Sequence, residues 1–357
     1  MLTTIVSFIV VLSILVFFHE LGHFLVAKYV GVQVEEFAIG MGPKLIGHQQ
    51  GETLYSIRIL PLGGFCKMTG EMPVDDEESD PEEIKLYQQA VKKGKCLFQK
   101  SVLERISVIT MGPIMNFLLA AVLFMLIFNI FGIPVDTSSS TIIGQVVPEG
   151  PAYRAGLKEG DKILAINNKP VDDWKAMAKI IHQHPKEEIS LKVLRGQEIL
   201  NLKVTPRLDE NRKVGLIGII PILKREPVNL FKSIILGIKQ TGMYIFALVM
   251  GLWKMITQQM SAQVSGPVKI AQMVGNATES GMMRLMRLSA IISINLGIMN
   301  LLPFPALDGG RLVFLGVELV RGEPVDPEKE GVVHLIGFVL LMLLFVFIMI
   351  KDIKSII

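Results

Sequence analysis

The chain has 357 residues, of which 50% are hydrophobic and 19% charged, and its mean hydropathy is +0.49. That apolar excess argues against an ordinary water-soluble domain of this length and points to a membrane protein. A formal net charge of +3 without basic stretches interleaved with aromatics gives no footprint for nucleic acid, and two cysteines outside any CxxC pair indicate neither a disulfide framework nor a thiolate metal site.

The first apolar run extends from Leu2 to about Val30, and from Leu2 to Phe18 it contains no ionisable side chain. A helix rises 1.5 Å per residue, so roughly 20 such residues cross the hydrocarbon core of a bilayer. The run lacks the positive n-region and small-x-small site of a signal peptide and is read as a retained span. Near its end, residues 19–23 read His-Glu-Leu-Gly-His. Two imidazoles four apart on a helix face one way and can share a Zn²⁺, with Glu20 beside them to take a proton from water. As mere packing, three polar side chains at the end of a membrane span are expensive unless paired or metal-bound.

Gly31 to Glu104 is polar. Val34–Pro43 and Leu54–Leu60 predict short strands of a hairpin-like element, and Asp75–Glu83 reads as a solvated acidic loop. A second span follows at Ile106–Ile133. From Val135 to Arg212 the pattern predicts a small α+β module: strands at Ile142–Val147, Lys162–Ile166, Ile189–Leu194 and Ile199–Val204, an Asn167-Asn168 turn, and a helix capped near Asp172 or Asp173. Val228–Ile256 is long enough to cross but is interrupted by Lys232, Lys239 and Lys254, as in a helix lying along the interface. Leu288–Leu307 and Val332–Ile350 are the remaining spans.

A catalytic zinc wants a third protein ligand and leaves its fourth position open. His48 lies in a loop, His182 and His184 in the soluble module, and His334 at the start of the last span, so none is a good candidate. The stronger one is Asp308, in NLLPFPALDGGR at 300–311. Pro303 and Pro305 forbid a regular helix, Gly309 and Gly310 are expected to let the backbone turn sharply, and irregular backbone at membrane depth belongs beside a cavity. His19 lies about 27 Å along its helix and Asp308 about 20 residues into its own segment, so the two spans must run parallel to bring both to one depth. They do so if Ile106–Ile133 is the sole crossing between them. A crossing by Val228–Ile256 would put Asp308 on the opposite side.

HELGH, PLGGFCKMTGE at Pro61–Glu71, MGPIMN at Met111–Asn116 and NLLPFPALDGG at Asn300–Gly310 together resemble the site-2 protease family of M50-type intramembrane zinc metalloproteases. Within that family the chain looks most like the bacterial regulator-of-sigma-E branch, in a single-PDZ form. EGPAYRAGLKEGDKILAINNKPV, Glu149–Val171, resembles the circularly permuted PDZ signature; closer members of that branch often carry two such domains, and this chain has room for one.

The resemblance implies that His19, His23 and Asp308 are the ligands of one Zn²⁺, Glu20 the general base, and Asn300 a group that holds substrate or the oxyanion. It also implies that Gly40 and Gly42 belong to a membrane-associated β-hairpin that pairs with unwound substrate; the family often has an aromatic between these glycines, where this chain has Met41.

The expected fold is therefore a multi-pass α-helical membrane protein with four transmembrane helices, a membrane-associated β-hairpin and an inserted α+β PDZ domain. The expected divisions are an N-terminal membrane part at 1–134, the PDZ domain at 135–212, an interfacial helical linker at 213–286 and a C-terminal membrane part at 287–357. The expected activity is zinc-dependent hydrolysis of peptide bonds in transmembrane substrates, such as anti-sigma factors or signal-peptide remnants. Single-span membrane proteins, the lipid bilayer and an exposed C-terminal peptide at the PDZ domain are the expected partners, with no nucleic acid. Loop charges barely decide orientation. The resemblance implies the bacterial inner membrane, a periplasmic PDZ domain and zinc near the cytoplasmic side. A non-proteolytic adaptor or holdase of the same fold is the alternative, against which the intact HELGH and Asp308 count. A transporter would show repeated halves or a string of intramembrane charges, and neither is present.

Overall fold

The computed structural model describes residues 2–71, 81–134, 140–209, 213–222, 225–257 and 266–354. They fall into two compact units, Met1–Ile130 with Asn229–Ile357, and Phe131–Val228. Of the acidic run at 75–83, residues up to 80 lie outside the described residues.

The first unit begins with α1 (Leu2–Tyr29), β1 (Val34–Gln50), β2 (Thr53–Met68), α2 (Pro81–Lys92) and α3 (Val102–Phe131). α3 starts at a capping box: the Ser101 amide donates to Glu104 Oε2 at 2.8 Å, and the Glu104 amide donates back to Ser101 Oγ at 3.4 Å. The hairpin-like element is longer and more folded on itself than the sequence pattern predicts. Glu36 pairs with both Lys67 and Leu54, and Ile39 with both Gly64 and Ile57, so the first part of β1 lies between the two halves of β2. Gly40 and Gly42, at φ +89° and +82°, supply the break that lets the rest of β1 swing round and pair as Ile46 with Ile57. Arg58 ties the fold-back together, reaching Glu36 Oε2 at 2.7 Å and the Gly42 carbonyl at 2.6 Å.

The second unit contains β3 (Ile133–Pro134), β4 (Ile143–Val146), α4 (Pro151–Arg154), β5 (Lys162–Ile166), β6 (Lys169–Pro170), α5 (Trp174–Gln183), β7 (Ile189–Arg195), β8 (Glu198–Val204), β9 (Arg207–Asp209), β10 (Val214–Leu216), β11 (Ile219–Pro221) and β12 (Arg225–Glu226). β6-β5-β7-β8 form an antiparallel sheet, while β11 pairs with β4, β10 with β9, and β12 with β3. The Asn167-Asn168 turn has both residues at positive φ, and Asp173 caps α5 by accepting the Ala176 amide at 2.6 Å. Ile143, Ile163, Ile166, Met177, Ile189, Leu191 and Val193 form the buried centre. β10, β11 and β12 lie beyond Arg212, so this unit runs on to Val228.

The first unit resumes with α6 (Leu230–Ile256), α7 (Pro267–Glu279), α8 (Met282–Asn300), α9 (Asp308–Arg321) and α10 (Pro327–Lys354). Among the described residues, α1, α3, α6, α8 and α10 are long and apolar enough to cross a membrane. Length and composition thus admit α6 as a fifth crossing beside the four expected. Where two helices meet in an apolar setting, small residues let the backbones approach. α1 and α3 touch this way: a Cβ on Gly22 would strike the Met111 carbonyl. α7 is held from two sides, with Gly275 against Thr4 of α1 and the Lys269 amide donating to Asp352 Oδ2 of α10 at 3.1 Å.

One ion pair fixes the second unit's turn before β5. Buried Asp161 accepts from Arg195 Nε and Nη2, each at 2.8 Å, and from the Lys158 amide at 2.8 Å. Burial alone would raise the Asp161 carboxyl, but Arg195 and the Lys158 amide outweigh it and hold the acid below the usual carboxylate range. A depressed folded value means stability that is present above the usual carboxylate pKa and lost as pH falls through the folded one. Asp161→Asn should therefore cost this unit about 2 kcal/mol at neutral pH and little at strongly acid pH. Hydrogen exchange of the β5 and β7 amides in the full chain checks it: unchanged protection at neutral pH would contradict the assignment.

Candidate metal centre

α1 carries His19 and His23 one turn apart, both buried, with their rings edge to face at 4.8 Å between centroids. Their Nε2 atoms point to a common place and lie 3.2 Å apart. Asp308, the first residue of α9, brings Oδ2 to 3.2 Å from His19 Nε2 and 3.6 Å from His23 Nε2. Zinc bonds of 2.0–2.2 Å in a tetrahedron would set donors about 3.3–3.6 Å apart, so this triangle has the size of one face of a zinc site. Asp308 Oδ2 is buried and meets no hydrogen-bond donor among the described residues. Three atoms whose lone pairs converge out of water need a cation between them, and the donor set of two imidazoles and a carboxylate suits Zn²⁺.

The outer ring nitrogens are also engaged. His23 Nδ1 donates to the Val108 carbonyl at 2.9 Å, which leaves its Nε2 lone pair facing inward. His19 Nδ1 lies 3.1 Å from Asn116 Nδ2, and the buried Oδ1 of that amide meets no hydrogen-bond partner among the described residues. With the oxygen of that amide turned to the ring, His19 Nδ1–H would donate to it and leave Nε2 free in the same way. Between these two supports sits Gly112, whose bare Cα makes room for the rings: a Cβ there would collide with His23 Nε2. Val108, Gly112 and Asn116 recur every fourth residue and so form one stripe of α3. In the sequence, MGPIMN carries only a family resemblance; the spacing of four between Gly112 and Asn116 is the local signal that puts them on one helix face.

Asp308 is delivered by a loop that breaks as Pro303 and Pro305 require, but not where expected. Gly309 and Gly310 lie in the first turn of α9, and a Cβ on them would strike the Leu302 and Phe304 carbonyls, so they serve close packing. The sharp turn is made by Ala306, at φ +72°. Arg311, one turn past Asp308, pairs with Glu71 beyond the end of β2, and Arg105 of α3 pairs with Glu318 of α9. Both ties hold α9 in place, and neither was visible in the sequence.

Glu20 follows His19 directly and is half-buried. Asn300 is the last residue of α8, half-buried, and no hydrogen bond among the described residues joins it to the three donors. Gly40 and Gly42 lie at the break in β1, and their contacts are with Arg58 and Leu60. The geometry thus gathers His19, His23 and Asp308, with Glu20 alongside, and does not itself bring Asn300, Gly40 or Gly42 to them.

The profile of Peptidase family M50 matches residues 7–344. The zinc metalloprotease RasP of Geobacillus kaustophilus is 38% identical over 99% of this chain and 98% of that protein. The regulator of sigma-W protease RasP of Bacillus subtilis is 34% identical over 98% of each. Among solved structures, the PDZ domain of an SdrC-like protein from Listeria monocytogenes covers 24% of this chain and 90% of its own, at 18% identity and a TM-score of 0.21. By the span of the first match and the near full-length likeness of these relatives, the chain belongs to Peptidase family M50 and is a zinc metalloprotease of the membrane.

Proposed function

We propose that His19, His23 and Asp308 hold one zinc ion per chain, and that Glu20 is the proton carrier of peptide-bond hydrolysis within the membrane. The observation that carries this reading is the triangle of Nε2, Nε2 and Oδ2 at 3.2–3.6 Å. When held there, the ion would supply an acidified water and polarisation of the scissile carbonyl. Glu20 takes the proton from the attacking water and returns it to the leaving amide nitrogen. Asn300 donates its amide to the carbonyl oxygen as negative charge develops there. The Val108 carbonyl and the Asn116 amide keep the imidazoles aimed.

The substrate class is a single transmembrane segment. Its helix hides its carbonyls in internal hydrogen bonds and must unwind before it can be cut. Backbone pairing with β1 at Gly40–Gly42 holds it open. The name of the Bacillus subtilis relative, a regulator of sigma-W, supports a membrane-anchored regulator such as an anti-sigma factor as the physiological class. The second unit is read as a PDZ domain outside the cytoplasm that takes an exposed C-terminal peptide.

Four crossings, by α1, α3, α8 and α10, fit better than five. Gly237 of α6 meets Ala121 and Met125 of α3, and Tyr244 stacks on Phe124, so α6 packs on the C-terminal half of α3. The start of α1 and the end of α10 also meet the same short helix: Thr4 touches Gly275 and Asp352 touches Gly266, positions about 13 Å apart along α7. That distance is well short of a bilayer's hydrocarbon thickness of about 30 Å, so an even number of crossings separates them.

Glu20→Gln should keep zinc and lose at least about 100-fold of cleavage, because the amide cannot carry the proton. Reconstituted protein with a labelled single-span substrate, assayed for metal and product together, decides it. Undiminished cleavage would end the catalytic assignment and revive the holdase reading. Asp308→Ala should lower zinc retention in folded protein, and full retention under chelator challenge would move the third ligand elsewhere. For topology, Val228→Cys and Ile256→Cys, each placed singly in a chain with Cys66 and Cys96 replaced by alanine, should label from the same side with an impermeant reagent. Opposite sides would make α6 a crossing.

A further inference from the structure

Asp308 follows an irregular loop that joins α8 to α9. Ala306 has φ +72°, a left-handed conformation that a residue with a Cβ adopts only when something holds it. The holder comes from α10. The Ala306 amide donates to His334 Nδ1 at 2.9 Å. An amide can only donate, so Nδ1 must offer its lone pair, and the ring proton sits on Nε2. Nε2 is 3.7 Å from Glu330 Oε1, beyond hydrogen-bond reach, so the bond to Ala306 is the close polar contact of this ring. The ring lies 5.5 Å from that of Phe314 on α9, and Gly337, one turn along α10 from His334, is so close to Pro305 that a Cβ would overlap it. α10 thus grips residues 305 and 306, just ahead of Asp308, by packing and by one hydrogen bond.

We propose that His334 is a positioning residue of the metal centre: by accepting the Ala306 amide it stabilises the left-handed turn and so fixes where the Asp308 carboxylate stands. It acts through the backbone and is not itself a ligand. This role rests on the assignment of Asp308 to the zinc, and the two fail differently. If Asp308 is no ligand, Asp308→Ala keeps its zinc. If His334 does not position it, Asp308→Ala loses zinc while the His334 variants behave alike.

The test measures zinc retention against a chelator in purified full-length protein, with unfolding of the metal-free form followed in parallel. His334→Leu keeps bulk but offers no acceptor and should weaken retention about tenfold or more, in the range of lost outer-shell partners. His334→Asn can place Oδ1 where Nδ1 stands and should recover most of that loss. In an Ala306→Gly background, where φ +72° carries no strain, the same His334→Leu change should matter less. The metal-free forms should unfold alike. Equal retention by the Leu and Asn variants would overturn the proposal, as would an undiminished effect of Leu with Gly at 306. A measurement on the unaltered protein guards against variants that fail to fold: the ¹⁵N shifts of the His334 ring should report the proton on Nε2 and a hydrogen-bonded Nδ1. The opposite tautomer would exclude the proposed bond.

Discussion

Two imidazole nitrogens and a carboxylate oxygen held 3.2–3.6 Å apart, out of bulk water, repel one another until a cation sits among them. That requirement governs the membrane unit. α1 supplies two donors by helical periodicity alone, but their aim is set from outside, by a stripe of α3 that offers a carbonyl, a gap and an amide at successive turns. The third donor stands on α9, a helix of 14 residues that is too short to cross a bilayer and must be located by its neighbours.

The neighbours locate it largely through charge. Glu71 with Arg311 and Arg105 with Glu318 are mostly shielded pairs that join α9 to the turn after β2 and to α3. Such pairs add little net stability, since the cost of removing charges from water nearly cancels their attraction. Breaking one is costly nonetheless, because the remaining charge is left without its partner. They therefore suit a part whose position matters more than its strength. The same logic explains why the loop ahead of Asp308 combines rigid prolines with a strained alanine: a stiff lead tolerates little drift in the residue it carries.

What could be read from the sequence is what local rules determine. HELGH declared its geometry because i and i+4 always share a helix face. The proline-rich break before Asp308 declared an irregular backbone, and the alternating strands at 162–166, 189–195 and 198–204 declared a sheet. What could not be read depends on partners distant in the chain. Asn116 meets His19 across 97 positions, and Arg311 meets Glu71 across 240. A glycine pair signals either freedom or closeness, and only the packed structure shows that Gly309 and Gly310 serve closeness and not the turn. β10 and β11, three residues each, are too short to show an alternation at all. The return of β1 between the halves of β2 follows from two glycines whose positive φ the sequence permits but does not demand.

The contact of α1 with α3 at Gly22 and Gly112 has a directional effect. There a main-chain carbonyl of α3 lies against α1, and the histidine rings fill the space that a side chain at 112 would occupy. A polypeptide needs roughly the 4.7–4.9 Å spacing of neighbouring strands to lie beside another chain, and this seam leaves none of it. The ring-bearing face of α1 is thus shut along its α3 border. The metal centre is closed along that seam, and a chain that reaches the three donors must come from another side.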